Sequence, residues 1–161
     1  MRVSATGTMT GRIMVVDESD LMQEFMGTFL EDLGQIIPAH SASEALRKLE
    51  RNGPFDLVIS SHLLADMNGV ELLKRCAEMF PKTIRVLMSS SPAEVLEIKQ
   101  ALETGDIHRF VSKPFGVANL KKQLRHDLAS RQKQLPRGSA CTVTTPASKV
   151  SDTKLVMGGN R

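Results

Sequence analysis

The chain of 161 residues has no tryptophan, no tyrosine and only six phenylalanines. A core built from it is therefore aliphatic. Cysteine is scarce as well. Cys76 and Cys141 are too few for a disulfide framework or a structural zinc site, which takes about four ligands. His40, His62, His108 and His126 show no metal-ligand spacing. No apolar run approaches the roughly 18 residues of a membrane span. Met1 to Arg12 holds no apolar stretch of the kind a secretory signal needs. These absences predict a cytoplasmic protein with reduced thiols and no membrane association.

Hydrophobic residues make up 41% of the chain and charged residues 24%, the balance of a globular domain. The formal charge of +3 is unevenly placed. Residues 1–120 carry 12 Lys and Arg against 16 Asp and Glu, a net −4; residues 121–161 carry 9 against 2, a net +7. A basic end can touch nucleic acid or an acidic partner. No aromatic residue follows Phe115, so this end offers no platform for stacking bases. A solvated helix face is the simpler reading, and nucleic acid is not the expected partner.

Residues 1–11 are small and polar and read as a loose lead-in. Ile13-Met14-Val15-Val16 is a short continuous apolar run, the mark of a strand covered on both faces. Leu21, Met22, Phe25, Met26, Phe29, Leu30 and Leu33 then recur at helical spacing, and Gly34 is a suitable stop. Ile36-Ile37 begins a second strand. Ser41 and Glu44 have capping-box spacing and open a second helix. Phe55 to Ser60 is a third strand, and a loop over 61–69 leads to a helix carrying Val70, Leu72, Leu73 and Cys76. Ile84 to Met88 is a fourth strand. Ser91-Pro92-Ala93-Glu94 has the cap, proline and acid of a helix start. Gly105 ends that helix, Ile107 to Ser112 is a fifth strand, and Val117, Leu120, Leu124 and Leu128 line a fifth helix.

Five alternations of strand and helix predict an open parallel sheet with helices on both faces. The folded domain is expected over 12–133, followed by a disordered basic tail over 134–161, where periodicity stops. In such a sheet, ligands gather beyond the C-terminal ends of the strands. There the chain places Asp17 and Glu18, then Ser61 and His62, then Ser89 to Ser91, then Lys113 and Pro114. Adjacent acids, a hydroxyl and a lysine are a set suited to a divalent cation and a phosphoryl group.

Val15-Val16-Asp17-Glu18-Ser19, Phe55 to Ile59, Met67-Asn68-Gly69 and Val111-Ser112-Lys113-Pro114-Phe115 occur in order, each at a strand end. Together they resemble the receiver domain of bacterial two-component response regulators over about residues 12–130. Ala101 to Phe115 is similar to receivers that precede cyclic-dinucleotide phosphodiesterase and related output domains. The resemblance implies a flavodoxin-like three-layer sandwich: a five-stranded parallel sheet, order 2-1-3-4-5, with five helices. It also implies a switch. A carboxylate after the third strand takes a phosphoryl group from a histidine kinase, and an acidic pair holds magnesium. A hydroxyl, an aromatic ring and a lysine then respond.

Position by position, Asp17 and Glu18 match the acidic pair, and Lys113 with Pro114 matches the lysine and its following proline. Phe110 matches the aromatic ring. Ser90 is the candidate hydroxyl, with Ser89 the alternative if the loop is one residue longer. The acceptor does not match: the family spacing lands on Ser61. The chain also has Ala65 where proline is usual, and Asn68 where aspartate is common. A serine removes one of three carboxylates, so magnesium binding is expected to be weak or absent. Without an acceptor carboxylate, Lys113 is expected to pair with Asp17 or Glu18.

These readings predict a non-enzymatic, atypical single-domain receiver that signals by contact with a histidine kinase or an output protein. It needs no cofactor, and a homodimer is compatible. The resemblance places the partner face on the fourth helix, fifth strand and fifth helix, with Glu94, Glu97, Lys99, His108, Arg109, Lys121, Lys122 and Arg125. The competing readings are a small-molecule or nucleotide-binding module of the same fold, and a conventional phospho-receiver that uses a displaced acid such as Asp66.

Overall fold

The computed structural model describes residues 2–3, 9–90 and 95–134. Strands β1 (Arg2–Val3), β2 (Met9–Val16), β3 (Gly34–Ala39), β4 (Leu57–Ser61), β5 (Ile84–Ser89) and β6 (Arg109–Ser112) alternate, after β2, with helices α1 (Asp20–Leu30), α2 (Ala42–Asn52), α3 (Gly69–Met79), α4 (Val95–Thr104) and α5 (Val117–Gln134). Five strands pair in parallel in the order β3-β2-β4-β5-β6. This is the expected 2-1-3-4-5 sheet. The helix start expected at Ser91 to Glu94, and the tail beyond residue 134, lie outside the described residues.

The central strands β2, β4 and β5 carry apolar runs because both faces are covered there. Alternate side chains point to opposite faces. Ile13, Val15, Leu57, Ile59, Val86 and Met88 pack in one cluster with Met26 and Leu30 of α1 and Leu124 and Leu128 of α5. Met14, Val16, Val58 and Leu87 pack in a second, with Leu49 of α2, Leu72, Leu73 and Cys76 of α3, and Ile98 of α4. Burial pushes the Cys76 thiol up to about 11, as befits an inert core filler.

The lead-in is not wholly loose. Arg2–Val3 pairs antiparallel with Met9–Thr10, so β2 begins three residues before Arg12. Backbone pairing needs no apolar side chain, which is why the small polar residues there gave no strand signal. Gly34 starts β3 rather than merely ending α1. A Cβ at Gly34 would sit 2.1 Å from the carbonyl oxygen of Gly11, so the close approach of β2 and β3 there requires glycine. Gly105 adopts φ +83° just past α4, the left-handed conformation expected of a helix stop.

Two helical stripes are less buried than their spacing predicts. On α1, Leu21 is 76% exposed; on α4, Val95, Leu96 and Leu102 are exposed while Ile98 and Ala101 are buried. Periodicity marks a face, but the breadth of the face that the sheet covers is set by tertiary packing.

Polar side chains secure both ends of the sheet. Buried Gln23 of α1 donates from Nε2 to the carbonyls of Val15 (3.1 Å), Asp17 (3.0 Å) and Ala39 (2.8 Å), tying the helix to the ends of β2 and β3. At the opposite end, Arg85 is buried. Its guanidinium donates to the carbonyls of Pro81 (3.2 Å), Thr83 (2.7 Å), Gly105 (2.8 Å) and Asp106 (2.8 Å). Burial lowers its pKa from the ordinary value. At the same end of the sheet Arg131 of α5 bonds Asp56 at 2.7 Å, and Asp56 also accepts from the Arg12 amide at 2.8 Å.

Asp66 caps α2 from a distant loop. Its carboxylate accepts from the amides of Ala42 (3.0 Å) and Ser43 (2.8 Å) and from the Ser43 hydroxyl (2.6 Å). The Ser43 hydroxyl first, with these amides, holds its pKa down to about 2 from the ordinary 3.8. Anionic groups are favoured at a helix N-terminus for the same reason.

Two outcomes follow from these anchors. Gln23→Leu removes the donor to three carbonyls and is expected to lower unfolding free energy by about 2 kcal/mol in urea titration. For Asp66, the folded-state pKa lies below the unfolded one. Its contribution to stability is therefore complete above about pH 4 and disappears as pH falls towards 2. Asp66→Asn should flatten that part of the stability-versus-pH curve measured by thermal unfolding.

Candidate functional site

The alternation that builds the core also builds the rim. Asp17 continues the face of Ile13 and Val15; Ser61 continues that of Leu57 and Ile59; Lys113 continues that of Val111. All three side chains therefore emerge on the α1–α5 side. Lys113 Nζ lies 3.2 Å from Asp17 Oδ2 and 3.5 Å from Ser61 Oγ. Lys113 thus pairs with Asp17, one of the two partners expected for it. The Asp17 side chain is 9% exposed and that of Lys113 22%.

Each carboxylate of the acidic pair is already engaged. Asp17 Oδ1 accepts from the Ser19 amide at 2.9 Å, while Oδ2 faces the ammonium. Glu18 is exposed, and its Oε1 accepts from the Ala65 amide across the rim. Ser61 is buried; its carbonyl oxygen accepts from the Ser60 hydroxyl at 2.9 Å. Among the described residues, no group of three His, Cys, Asp or Glu could hold a metal ion. A divalent cation here would meet Asp17, Glu18 and a neutral hydroxyl, and would have to displace or repel Lys113. That donor set does not fit a hard cation well.

The other expected residues fall as follows. Ser89 lies within β5, buried, and pairs with Ser112. Ser90 is exposed just beyond the strand and shares a shallow groove of about 430 Å³ with Met22, Phe25, Lys113, Pro114, Phe115 and Val117. Ser89 in turn accepts from the Lys113 amide through its carbonyl at 2.8 Å, so both candidate hydroxyls stand near the lysine's segment. Phe110 is half-buried against the second core cluster. The Lys113–Pro114 bond is cis. Asp66 is bound to α2 and does not join the rim cluster.

The expected partner face is altered. Arg109 holds Asp127 with two bonds (2.8 and 3.0 Å), and Lys121 and Arg125 both pair with Asp32 of the α1–β3 turn at 2.7 Å. Glu97 is engaged by His62 and Asn68. His108 accepts from the Arg85 amide through Nδ1 at 3.0 Å. Lys99 and Lys122 are exposed. Glu94 lies outside the described residues. Sequence spacing places a residue on a face; it does not show whether a neighbouring helix has already taken its charge.

Gln23 was missed by sequence reasoning; its only clue was a polar residue close to the apolar stripe of α1. His62 and Asn68 sit on the β4–α3 side and reach α4. Gly69 lies beneath them: a Cβ there would be 2.2 Å from the Ser61 carbonyl oxygen, so the loop returns directly against the strand end.

A groove of about 480 Å³ opens at the other end of the sheet, lined by residues that include Lys82, His108, Arg109, His126 and Arg131. Its two arginines are committed to Asp127 and Asp56. The rim around Ser61 remains the place where polar groups from separate strands converge.

Known proteins match this arrangement. The family model of the response regulator receiver domain matches residues 13–125. Chemotaxis protein CheY-3 of Vibrio cholerae is 31% identical over 116 residues, covering 70% of this chain and 88% of that protein. Chemotaxis protein CheY1 of Helicobacter pylori is 29% identical over 116 residues, covering 70% and 93%. The signal receiver domain of an HD domain-containing protein from Pseudomonas fluorescens Pf-5 superposes with a TM-score of 0.71 at 29% identity, covering 78% of this chain and 99% of that one. A CheY-like receiver domain protein from Methanospirillum hungatei gives 0.72 at 24% identity, which speaks for the fold alone. No helix among the described residues is long and apolar enough to cross a membrane. With its parallel sheet, its rim of Asp17, Ser61 and Lys113, and these matches, the chain belongs to the response regulator receiver domain family of two-component signalling.

Proposed function

We propose that this receiver signals by protein contact and is not switched by phosphorylation of an aspartate. The observation that carries the reading is a serine, Ser61, facing Lys113 at the end of β4, where the family resemblance puts the acceptor, with Lys113 bonded to Asp17 beside it. A hydroxyl is a weak nucleophile without an adjacent base, and Lys113, the side chain beside Ser61, is taken up by its bond to Asp17. His62 is the next residue but continues the opposite face, towards α4. Asp66 spends its carboxylate on the amides of α2. Magnesium affinity at Asp17 and Glu18 is correspondingly low, and the domain has no catalytic role of its own. It resides in the cytoplasm of a bacterial cell.

The partner is a histidine kinase or an output protein of a two-component pathway. The exposed apolar residues Val95, Leu96 and Leu102 of α4, with Lys99 and Lys122, support the fourth-helix side as the contact face. Apolar anchors with a charged margin are the usual composition of such contacts.

Intact-mass measurement after incubation with magnesium and a small acyl-phosphate donor tests the reading. The native chain is expected to show no adduct under conditions that modify a standard receiver. An adduct labile to hydroxylamine would mean that a carboxylate accepts the group and would overturn it. Ser61→Asp restores the third carboxylate and is expected to gain a magnesium-dependent, hydroxylamine-labile adduct, with magnesium affinity raised at least about tenfold.

A further inference from the structure

The loop after β4 is tied to α4 by one carboxylate. Glu97 Oε2 lies 3.1 Å from His62 Nε2, and Glu97 Oε1 accepts from Asn68 Nδ2 at 2.8 Å. Both partners are firmly placed. His62 follows Ser61 directly, is 3% exposed, and its amide donates to the Met88 carbonyl at 2.7 Å. Asn68 is the N-cap of α3: its Oδ1 accepts from the Val70 amide at 2.6 Å, which leaves the amide nitrogen to face Glu97. Helix α4 itself is lightly anchored, with Ile98 and Ala101 as its buried residues.

We infer that His62, Asn68 and Glu97 form a clamp that fixes α4 against the loop following Ser61, so that the position of the proposed contact helix is set by this clamp. Glu97 is then a positioning residue, not a contact residue of the partner face. The chemistry of position 68 supports this. An aspartate would cap α3 equally well. It would, however, set a second carboxylate against Glu97, where asparagine supplies a donor. The asparagine is therefore matched to the glutamate across the gap. The clamp concerns α4 alone and does not depend on whether Ser61 ever carries a phosphoryl group.

Hydrogen–deuterium exchange on the full chain tests the clamp, because residue exchange can be read helix by helix. Asn68→Asp retains the cap and is expected to speed exchange in α4 about tenfold, leaving α2 and α5 unchanged. Glu97→Gln, which can no longer accept from both partners, is expected to do the same. The double variant Asn68→Asp/Glu97→Gln reverses donor and acceptor: the new amide donates to the new carboxylate and its oxygen still accepts from His62. Exchange in α4 should return to within about twofold of the native chain. The inference fails if Asn68→Asp leaves α4 unchanged. It also fails if exchange rises equally in every helix, or if the double variant is as fast as either single one.

Discussion

Side chains alternate along a strand, and in this sheet both faces are filled. That constraint decides more than the core. Each strand must deliver its last side chain to one named side, so the residue after Ile59 and Ser60 belongs to the α1–α5 side, and the residue after that to the α3–α4 side. Ser61 thereby meets Lys113 and Asp17. His62, one position on, meets Glu97. Two neighbouring residues serve two separate assemblies because the pleat separates them.

The consequence at the first assembly is electrostatic. A lysine at a rim that holds three carboxylates would have several anions to divide itself among. With Ser61 neutral, Lys113 settles on Asp17 at 3.2 Å, largely out of water. The pair is partly buried, where charges interact more strongly than at a free surface. Either member left alone would be costly, so each holds the other in place. The rim is thus balanced within the chain itself.

Much of this was legible in the residues. The apolar runs marked the five parallel strands, Gly105 its helix end, and Asp17, Ser61 and Lys113 their places at the strand ends. The lysine's pairing with an acid was expected from charge alone. What stayed hidden depended on contacts between distant segments. Asp66 looked like a spare rim acid, yet two amides and a hydroxyl of α2 hold it. Arg109, Lys121 and Arg125 were expected on the partner face, yet Arg109 is paired with Asp127, and Lys121 and Arg125 share Asp32. Asn68 read as a departure from a pattern, and its complement, Glu97, lies on another helix. Arg85 looked like an ordinary interruption of a strand, because nothing local announces four distant carbonyls.

That arginine bears on how such a chain can change over time. Arg85 gathers the loops at the end of the sheet remote from Ser61, and the Arg131–Asp56 pair closes the same end. Cohesion at that end adds to that of Gln23 at the rim and does not depend on the rim residues. A replacement of Ser61 itself leaves these remote bonds untouched. Natural proteins sit just above a stability threshold, and a variant survives only while it stays there. A domain with such bonds remote from its rim can take a substitution at the rim and persist as a folded, adaptable module, free to acquire a new role before losing its shape.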